Sequence, residues 1–356
     1  MSEFEEYIRQ GEPGSKEKAA AWQVAIGLQD VDGLKPSAYL IDTAKRHIEG
    51  DITIDDVKQM LDSYYKSKTA RAEVEDDRTE EADKVSARVE ELLTEKSFSF
   101  TPEYLARIHR HLFQGLFKFA GRYRDYDITK NEWVLGGDTV LYSSASIIPE
   151  TLSYDFSQER LVNYVSLNTD KAIEQIARFI SGIWQIHPFG EGNTRTTAVF
   201  TMKYLQSFGF EVKNDMFKDH SWYFRNALVR ANYNNYQKGI QATDKYLILF
   251  FRNLLLGEKN ELKNRHLLVG SVQSASHLDP KGQNGTLDCT LEELAVAKIL
   301  KTNGNAKQEE VAKQIGKSVR TVKRIMASLT EKKVIARKNG KRNGVWVVNE
   351  DYAKNL

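Results

Sequence analysis

The chain has 356 residues, 41% apolar and 28% charged, which is long enough for two or three domains and apolar enough for a sizeable core. Its net charge of +2 hides an asymmetry: residues 291–356 carry 15 Lys+Arg against 7 Asp+Glu, and the preceding body is acidic. A single cysteine, Cys289, excludes an internal disulfide framework and fits a reducing compartment.

The N-terminal run MSEFEEYIRQ is charged and lacks the apolar core of a signal peptide. No apolar stretch approaches membrane-spanning length, so a cytoplasmic protein without a membrane partner is expected. The text is mostly helical by pattern. Lys16 to Ile26 reads as a helix, then Ala38 to Ile48 with Ser37 as its cap and Gly50 as its stop. Asp51 to Lys66 places Ile54, Val57, Leu61 and Tyr64 at helical spacing. Arg71 to Thr94 is a charge-laced helix whose charges read as a solvated face.

Thr101-Pro102-Glu103 opens a new helix, with Pro at the first position and Leu105, Ile108, His109, Leu112 and Phe113 inward. A β-hairpin is expected next: Trp133-Val134-Leu135 and Thr139 to Tyr142 around the turn Gly136-Gly137. Lys171 to Ile186 is a buried helix, Thr194 to Phe208 another, and Trp222 to Ala231 and Thr243 to Leu256 complete the unit. Residues 258–290, polar and rich in Gly, Ser and Asn, read as a linker. The expected division is an N-terminal helical region (1–95), a core (96–257), the linker, and a basic C-terminal unit (291–356).

The chemistry concentrates in His187-Pro188-Phe189-Gly190-Glu191-Gly192-Asn193-Thr194-Arg195. His187 ends a buried helix, and Pro188 stops that helix from continuing. Gly190 and Gly192 allow a tight turn whose amides converge on an anion. Asn193 is the expected cap of the following helix, whose N-terminus favours phosphate. Arg195 adds a charge-assisted clamp, and Glu191 is a hard oxygen ligand suited to Mg2+ shared with phosphates. His187 titrates in the range where it accepts a proton from a hydroxyl. Each of these residues alone has an ordinary structural explanation; their joint spacing is what carries the signal.

This run resembles the signature of the Fic (filamentation induced by cAMP) domain, and the likeness extends to Phe119-Ala120-Gly121-x-Tyr123-Arg124, over roughly residues 96–256. The resemblance implies a mainly α fold: an all-α core with a small β-hairpin flap, here Trp133, Val134, Leu135, Gly136 and Gly137, whose exposed edge aligns a target by strand addition. It implies AMP transfer from ATP to a Ser, Thr or Tyr hydroxyl of a target protein, the chain itself included. His187 would be the base, and Glu191 would bind Mg2+. Gly190, Gly192, Asn193, Thr194 and Arg195 would line the phosphates, and Tyr223 and Asn226 would lie near adenine. Where many members carry a second arginine, this chain has Ala198, and no clean inhibitory Ser/Thr-x-x-x-Glu motif is found. Residues 19–60 loosely resemble the small antitoxin partners of Fic toxins, with Gln29 near the inhibitory glutamate. The N-terminal helices therefore either inhibit through another group or simply complete the core. A nucleotide-sensing transcription regulator and a Fic-type transferase of another phosphate-containing group remain as alternatives.

Residues 291–348 have the order of a winged helix and resemble bacterial winged helix-turn-helix regulators. The helix capped by Ser318 carries Arg320, Thr321, Lys323 and Arg324, and a hairpin wing carries Lys338, Lys341 and Arg342. DNA binding by that helix and wing is the expectation, and a protein-interaction module is the alternative. A two-fold operator would require a homodimer.

Overall fold

In the computed structural model, residues 4–70, 77–210, 216–270, 289–338, 344–349 and 352 are described. They are mainly helical. In chain order the helices are α1 (Glu5–Gln10), α2 (Pro13–Gly27), α3 (Ala38–Glu49), α4 (Ile54–Ala70), α5 (Asp77–Thr94), α6 (Pro102–Phe113), α7 (Ile148–Arg160) and α8 (Thr169–Ile186). They continue as α9 (Asn193–Ser207), α10 (Met216–Asp219), α11 (Ser221–Ala231), α12 (Lys245–Leu256), α13 (Leu291–Thr302), α14 (Gln308–Gln314) and α15 (Val319–Glu331). Two strands, β1 (Ile335–Lys338) and β2 (Val345–Val348), pair antiparallel with Ile335 opposite Val348. No described helix is long and apolar enough to cross a membrane.

Local chemistry sets the helix limits. The Ser37 hydroxyl accepts from the Leu40 amide, and Gly50 ends α3 at φ 89°. Thr101 caps α6 in the same way, with Pro102 at its first position. Asn168 caps α8, two residues earlier than the apolar periodicity suggests. Thr290 and Glu293 form a reciprocal capping box on α13. The expected helix over 71–94 is seen from Asp77; residues 71–76 lie outside the described residues.

A central core forms around α8 and α9, with α6, α7, α11 and α12 packed about them. A second cluster joins α2, α3 and α4 through Trp22, Leu40, Ile48, Val57 and Leu61. Helices α2 and α5 belong to both, because Val24 and Ala25 of α2 and Val85 and Val89 of α5 face the central core, as does Leu28 just past the end of α2. A third cluster lies within α13–α15 and the strands. Leu291 and Leu294 nevertheless sit in the central core, and the Thr169 hydroxyl donates to the Cys289 carbonyl at 2.6 Å. Gly209 makes this seating close: a Cβ there would stand 2.8 Å from that of Ile315.

The segment expected as a linker is ordered in its first part. Leu267 is buried in the central core, and the Tyr246 hydroxyl donates to the His266 carbonyl at 2.7 Å. The remainder, 271–288, lies outside the described residues.

One buried acid marks the N-terminal helices. Glu90 on α5 is 1% exposed, and neither carboxyl oxygen has a hydrogen-bond partner among the described residues. Desolvation pushes its pKa up to about 8, whereas burial pushes neighbouring His47 down to about 4. Although Oε1 lies 3.9 Å from His47 Nδ1, both groups are neutral at pH 7, so this is no ion pair. The raised pKa means the folded state holds a proton that the unfolded state releases above the ordinary carboxyl range. Stability is then lost as pH rises toward 8. Glu90→Gln should remove that loss. In thermal melts at pH 5 and pH 9, the drop in Tm between the two should shrink by several degrees relative to the parent. An unchanged drop would show that Glu90 is not the group responsible.

Candidate functional site

The loop between α8 and α9 carries the motif. His187 closes α8 in the left-handed region, at φ 51° and ψ 58°, a conformation that costs free energy in a residue other than glycine. Arg124 supplies the compensation. Its amide donates to the Pro188 carbonyl at 2.8 Å, its Nε to the His187 carbonyl at 2.8 Å, and its Nη2 to the Ile186 carbonyl at 3.2 Å. A further bond from Nη1 to the Tyr126 carbonyl at 2.7 Å ties the α6–α7 connection to the same point. Arg124 thus fixes the path of the backbone on both sides of the imidazole.

The imidazole is 3% exposed, between the rings of Tyr142 and Trp184 at 4.3 and 5.3 Å. Nδ1 lies 3.3 Å from the Trp184 carbonyl, which can only accept, so Nδ1 carries the proton. Nε2 is then an unprotonated lone pair, buried and without a hydrogen-bond partner among the described residues. Desolvation, reinforced by the charges of Lys130, Arg124 and Arg225, holds the pKa well below 6.5. The ring is a neutral base at physiological pH.

Beyond it the loop is built rigidly. Phe189 is buried and stacks on His109 at 3.8 Å. His109 Nδ1 accepts from the Gly121 amide at 2.8 Å, so its Nε2 carries the proton and donates to the Glu191 carbonyl at 3.0 Å. Burial lowers its pKa to about 4, which keeps this bridge neutral. Asn193 was expected to cap the next helix and hold phosphate. Its side chain instead closes the turn: Oδ1 accepts from the Phe189 amide at 2.9 Å and Nδ2 donates to the Phe189 carbonyl at 2.7 Å. The N-cap of α9 is Gly192, at φ 75°, where a Cβ would stand 2.4 Å from the Phe113 ring. Thr194 is also engaged, since its hydroxyl accepts from Trp184 Nε1 at 3.0 Å. What the loop offers an anion is therefore backbone: the first-turn amides of α9 and the positive end of its dipole.

Glu191 is the exposed carboxylate of the loop, 43% accessible, with Oε2 2.7 Å from Lys130 Nζ. Among the described residues no group of three or more His, Cys, Asp or Glu gathers as a metal centre. A single open carboxylate beside a glycine turn and a helix N-terminus does fit Mg2+, which takes one or two protein carboxylates and completes its shell with phosphate and water oxygens.

Arg195 points the other way. Its side chain is fully buried among the N-terminal helices, with Nε 2.7 Å from Asp32 Oδ2, Nη1 3.1 Å from Gln29 Oε1 and Nη2 paired with Glu81. Its guanidinium also lies over the Phe113 ring at 4.8 Å. The expected phosphate clamp is, in this structure, held by two carboxylates and an amide from residues 29–32 and α5. Ala198 is buried in the core.

The flap expectation is corrected. Trp133–Leu135 form a 3-10 turn, and the pair of strands expected on either side is absent among the described residues. Gly136 and Gly137, at φ 67° and 90°, curl the chain. The Glu132 carboxylate draws the base of the loop inward, with Arg225 at 2.9 Å and the Tyr142 hydroxyl at 3.1 Å. Val134 and Leu135 are buried, and Trp133 is exposed. The Val134 carbonyl accepts from the Val269 amide at 2.9 Å, so the edge expected to receive a target strand is partly taken by the chain itself.

The adenine expectation also shifts. Tyr223 is a core residue, 1% exposed. Asn226 is buried, and its Nδ2 donates to Asn264 Oδ1 at 2.8 Å. Asn226 Oδ1 is buried and has no hydrogen-bond partner among the described residues.

In the C-terminal unit, Ser318 caps α15, and its hydroxyl also lies 2.9 Å from that of the half-buried Thr321. Arg320, Lys323 and Arg324 are exposed on one side of α15, and Lys338 is exposed at the end of β1. Lys341 and Arg342 lie outside the described residues.

Residues 99–205 match the model of the Fic/DOC family. The chain is 24% identical over 143 residues to the protein adenylyltransferase VbhT of Bartonella schoenbuchensis, covering 40% of this chain and 27% of that protein. It is 28% identical over 121 residues to the probable protein adenylyltransferase Fic of Escherichia coli K12, covering 33% of this chain and 56% of that protein. The matches thus span about a quarter and just over half of those two relatives. A Fic family protein from Desulfovibrio desulfuricans G20 aligns with 98% of this chain and 94% of its own, at 13% identity and a TM-score of 0.45.

Proposed function

We propose that the chain is a protein adenylyltransferase that moves AMP from ATP to a hydroxyl of a target protein. The observation that carries the reading is the His187 imidazole, a neutral base whose buried Nε2 has no partner among the described residues and which stands at the start of the glycine turn leading into the α9 N-terminus. The match of residues 99–205 and the names of the two relatives support it.

The protein's own contributions follow from the geometry. The α9 amides bind the phosphates, and the Asn193 clamp and the His109 bridge hold the loop in shape before the nucleotide arrives. Nε2 of His187 takes the proton as the target oxygen attacks the α-phosphorus. The bond from that phosphorus to the bridging oxygen breaks, and pyrophosphate leaves. Glu191 would hold Mg2+, which when bound neutralises charge on the phosphates. Lys130 gives up Glu191 in that state and is free to face the phosphate oxygens.

ATP labelled at the α or at the γ position, incubated with Mg2+ and a cell extract, tests the donor chemistry. Label should enter protein from the α position only. Transfer from the γ position would replace AMP with phosphate as the group moved.

The C-terminal unit reads as a DNA-binding winged helix, supported by the net charge of its residues and the exposed Arg320, Lys323 and Arg324. Neutralising these three should weaken the shift of genomic DNA fragments and flatten its salt dependence by about one unit of slope per lost phosphate contact. Unaltered binding in the triple variant would assign the unit to a protein partner.

A further inference from the structure

Between the central core and the C-terminal unit lies a cavity of about 550 Å3, far from His187 along α9. Its floor is apolar, from Leu205, Phe210, Leu254 and Ile299. Its size lies within the range of small-molecule sites, and like them it joins an apolar lining to a few polar groups. Those groups are unevenly matched. Glu258 is already paired with Arg252, and Asp219 with Lys218. The Lys298 ammonium, on α13, makes no ion pair or hydrogen bond among the described residues; its carbonyl accepts from the Thr302 hydroxyl at 3.1 Å. Desolvation, with the neighbouring charge of Lys301, pushes its pKa down to about 8. A half-buried ammonium with no counter-ion costs free energy that a bound anion would recover. Asn303 and Gln314, on the same wall, add polar contacts of the kind that orient a ligand.

We propose that this cavity binds a small amphipathic carboxylate, its apolar body on Leu205, Phe210 and Leu254 and its anionic head on Lys298. The ligand would touch α9 and α12 on one side and α13 and α14 on the other, and so fasten the basic unit to the core. The inference goes beyond the transferase reading and is independent of it, because its test measures binding alone.

The probes are naphthalene-1-acetate and its uncharged isostere naphthalene-1-acetamide, titrated calorimetrically into the full chain at pH 7. The carboxylate should bind one to one, at least tenfold tighter than the amide, and should slow hydrogen exchange in both α12 and α13. Lys298→Met should erase the tenfold preference while leaving amide binding in place, and Lys298→Arg should keep it. Ile299→Trp, which fills the space from the same helix, should remove both. Melting curves confirm that each variant is folded. Equal affinity for the two probes, no binding at millimolar carboxylate, or a preference that survives Lys298→Met would overturn the proposal.

Discussion

His187→Ala should lower transfer of α-labelled AMP by a factor of about 10² to 10⁴, the usual contribution of a positioned general base. On the proposed reading the loss should appear in kcat with little change in ATP affinity, because the imidazole would face the attacking hydroxyl while the α9 amides would hold the phosphates. Tm should fall modestly, because truncating the buried ring leaves a void between Tyr142 and Trp184, although few bonds are lost with it. The side chain removed carries a buried Nε2 without a partner and one long bond to Trp184. The same environment sets a pH signature. Desolvation keeps the folded pKa well below 6.5, so the base form persists where a free imidazole would already be protonated. Activity should stay level from pH 8 down through 6.5 and fall only in more acidic buffer. The matching stability is full above the unfolded pKa and declines as pH falls toward the folded one. A rate that halves near pH 6.5 would place His187 in water rather than between Tyr142 and Trp184. An Ala variant with parental activity would remove His187 from the mechanism altogether.

Glu81→Gln should have the opposite effect. Arg195 is bound by Asp32, Glu81 and Gln29, so on the proposed reading a phosphate would have to compete with two carboxylates for its guanidinium. Changing one carboxylate to an amide removes one charge-assisted bond, about 1.5–3 kcal/mol. By that amount Arg195 turns more readily to the nucleotide, and AMP incorporation should rise roughly ten- to a hundredfold. The cost falls on the fold. Removing one partner of a buried pair is destabilising by about 3–5 kcal/mol. Here the remaining Asp32 Oδ2 at 2.7 Å limits the loss, although its contact is not aligned as a hydrogen bond. Higher activity combined with a lower Tm is the expected pair of results. A lower Tm without gain in activity would make Arg195 a structural strut, and the phosphate site would then consist of the α9 amides and Glu191 alone.

Much of the site was legible because it is local. Helix stop, proline, two glycines and helix start follow one another within nine residues, and short-range sterics force a turn there whatever the rest of the chain does. The limits of α3, α6 and α15 were legible for the same reason, since Ser37, Thr101 and Ser318 cap their own helices. The partners of Arg195 were not. Asp32 and Glu81 are separated from it by more than a hundred residues of chain, and each looks like one more surface acid in a charge-rich stretch. Only Gln29 was singled out beforehand, through the resemblance. The flap misled for a physical reason. Short apolar runs on either side of Gly-Gly satisfy a hairpin pattern, but Glu132 finds Arg225 and Tyr142 across the core, and that buried contact overrides the strand propensity. Arg124 carried no local sign of its task. Its value lies in three backbone contacts that exist only when two distant loops meet.

Helices α2 and α5 face two apolar clusters at once, and this decides how Arg195 can ever be freed. Lifting residues 1–95 away from the body would strip Val24, Leu28, Val85 and Val89 from the central core and open it to water. The acids around Arg195 are therefore not carried on a detachable lid. Glu81 stands on a beam of the building, and Asp32 at the end of another. Release becomes a matter of one guanidinium changing neighbours inside a fixed frame, on the timescale of side-chain rotation rather than of domain travel. A nucleotide meeting this protein would find no door to push, only a hand already being held.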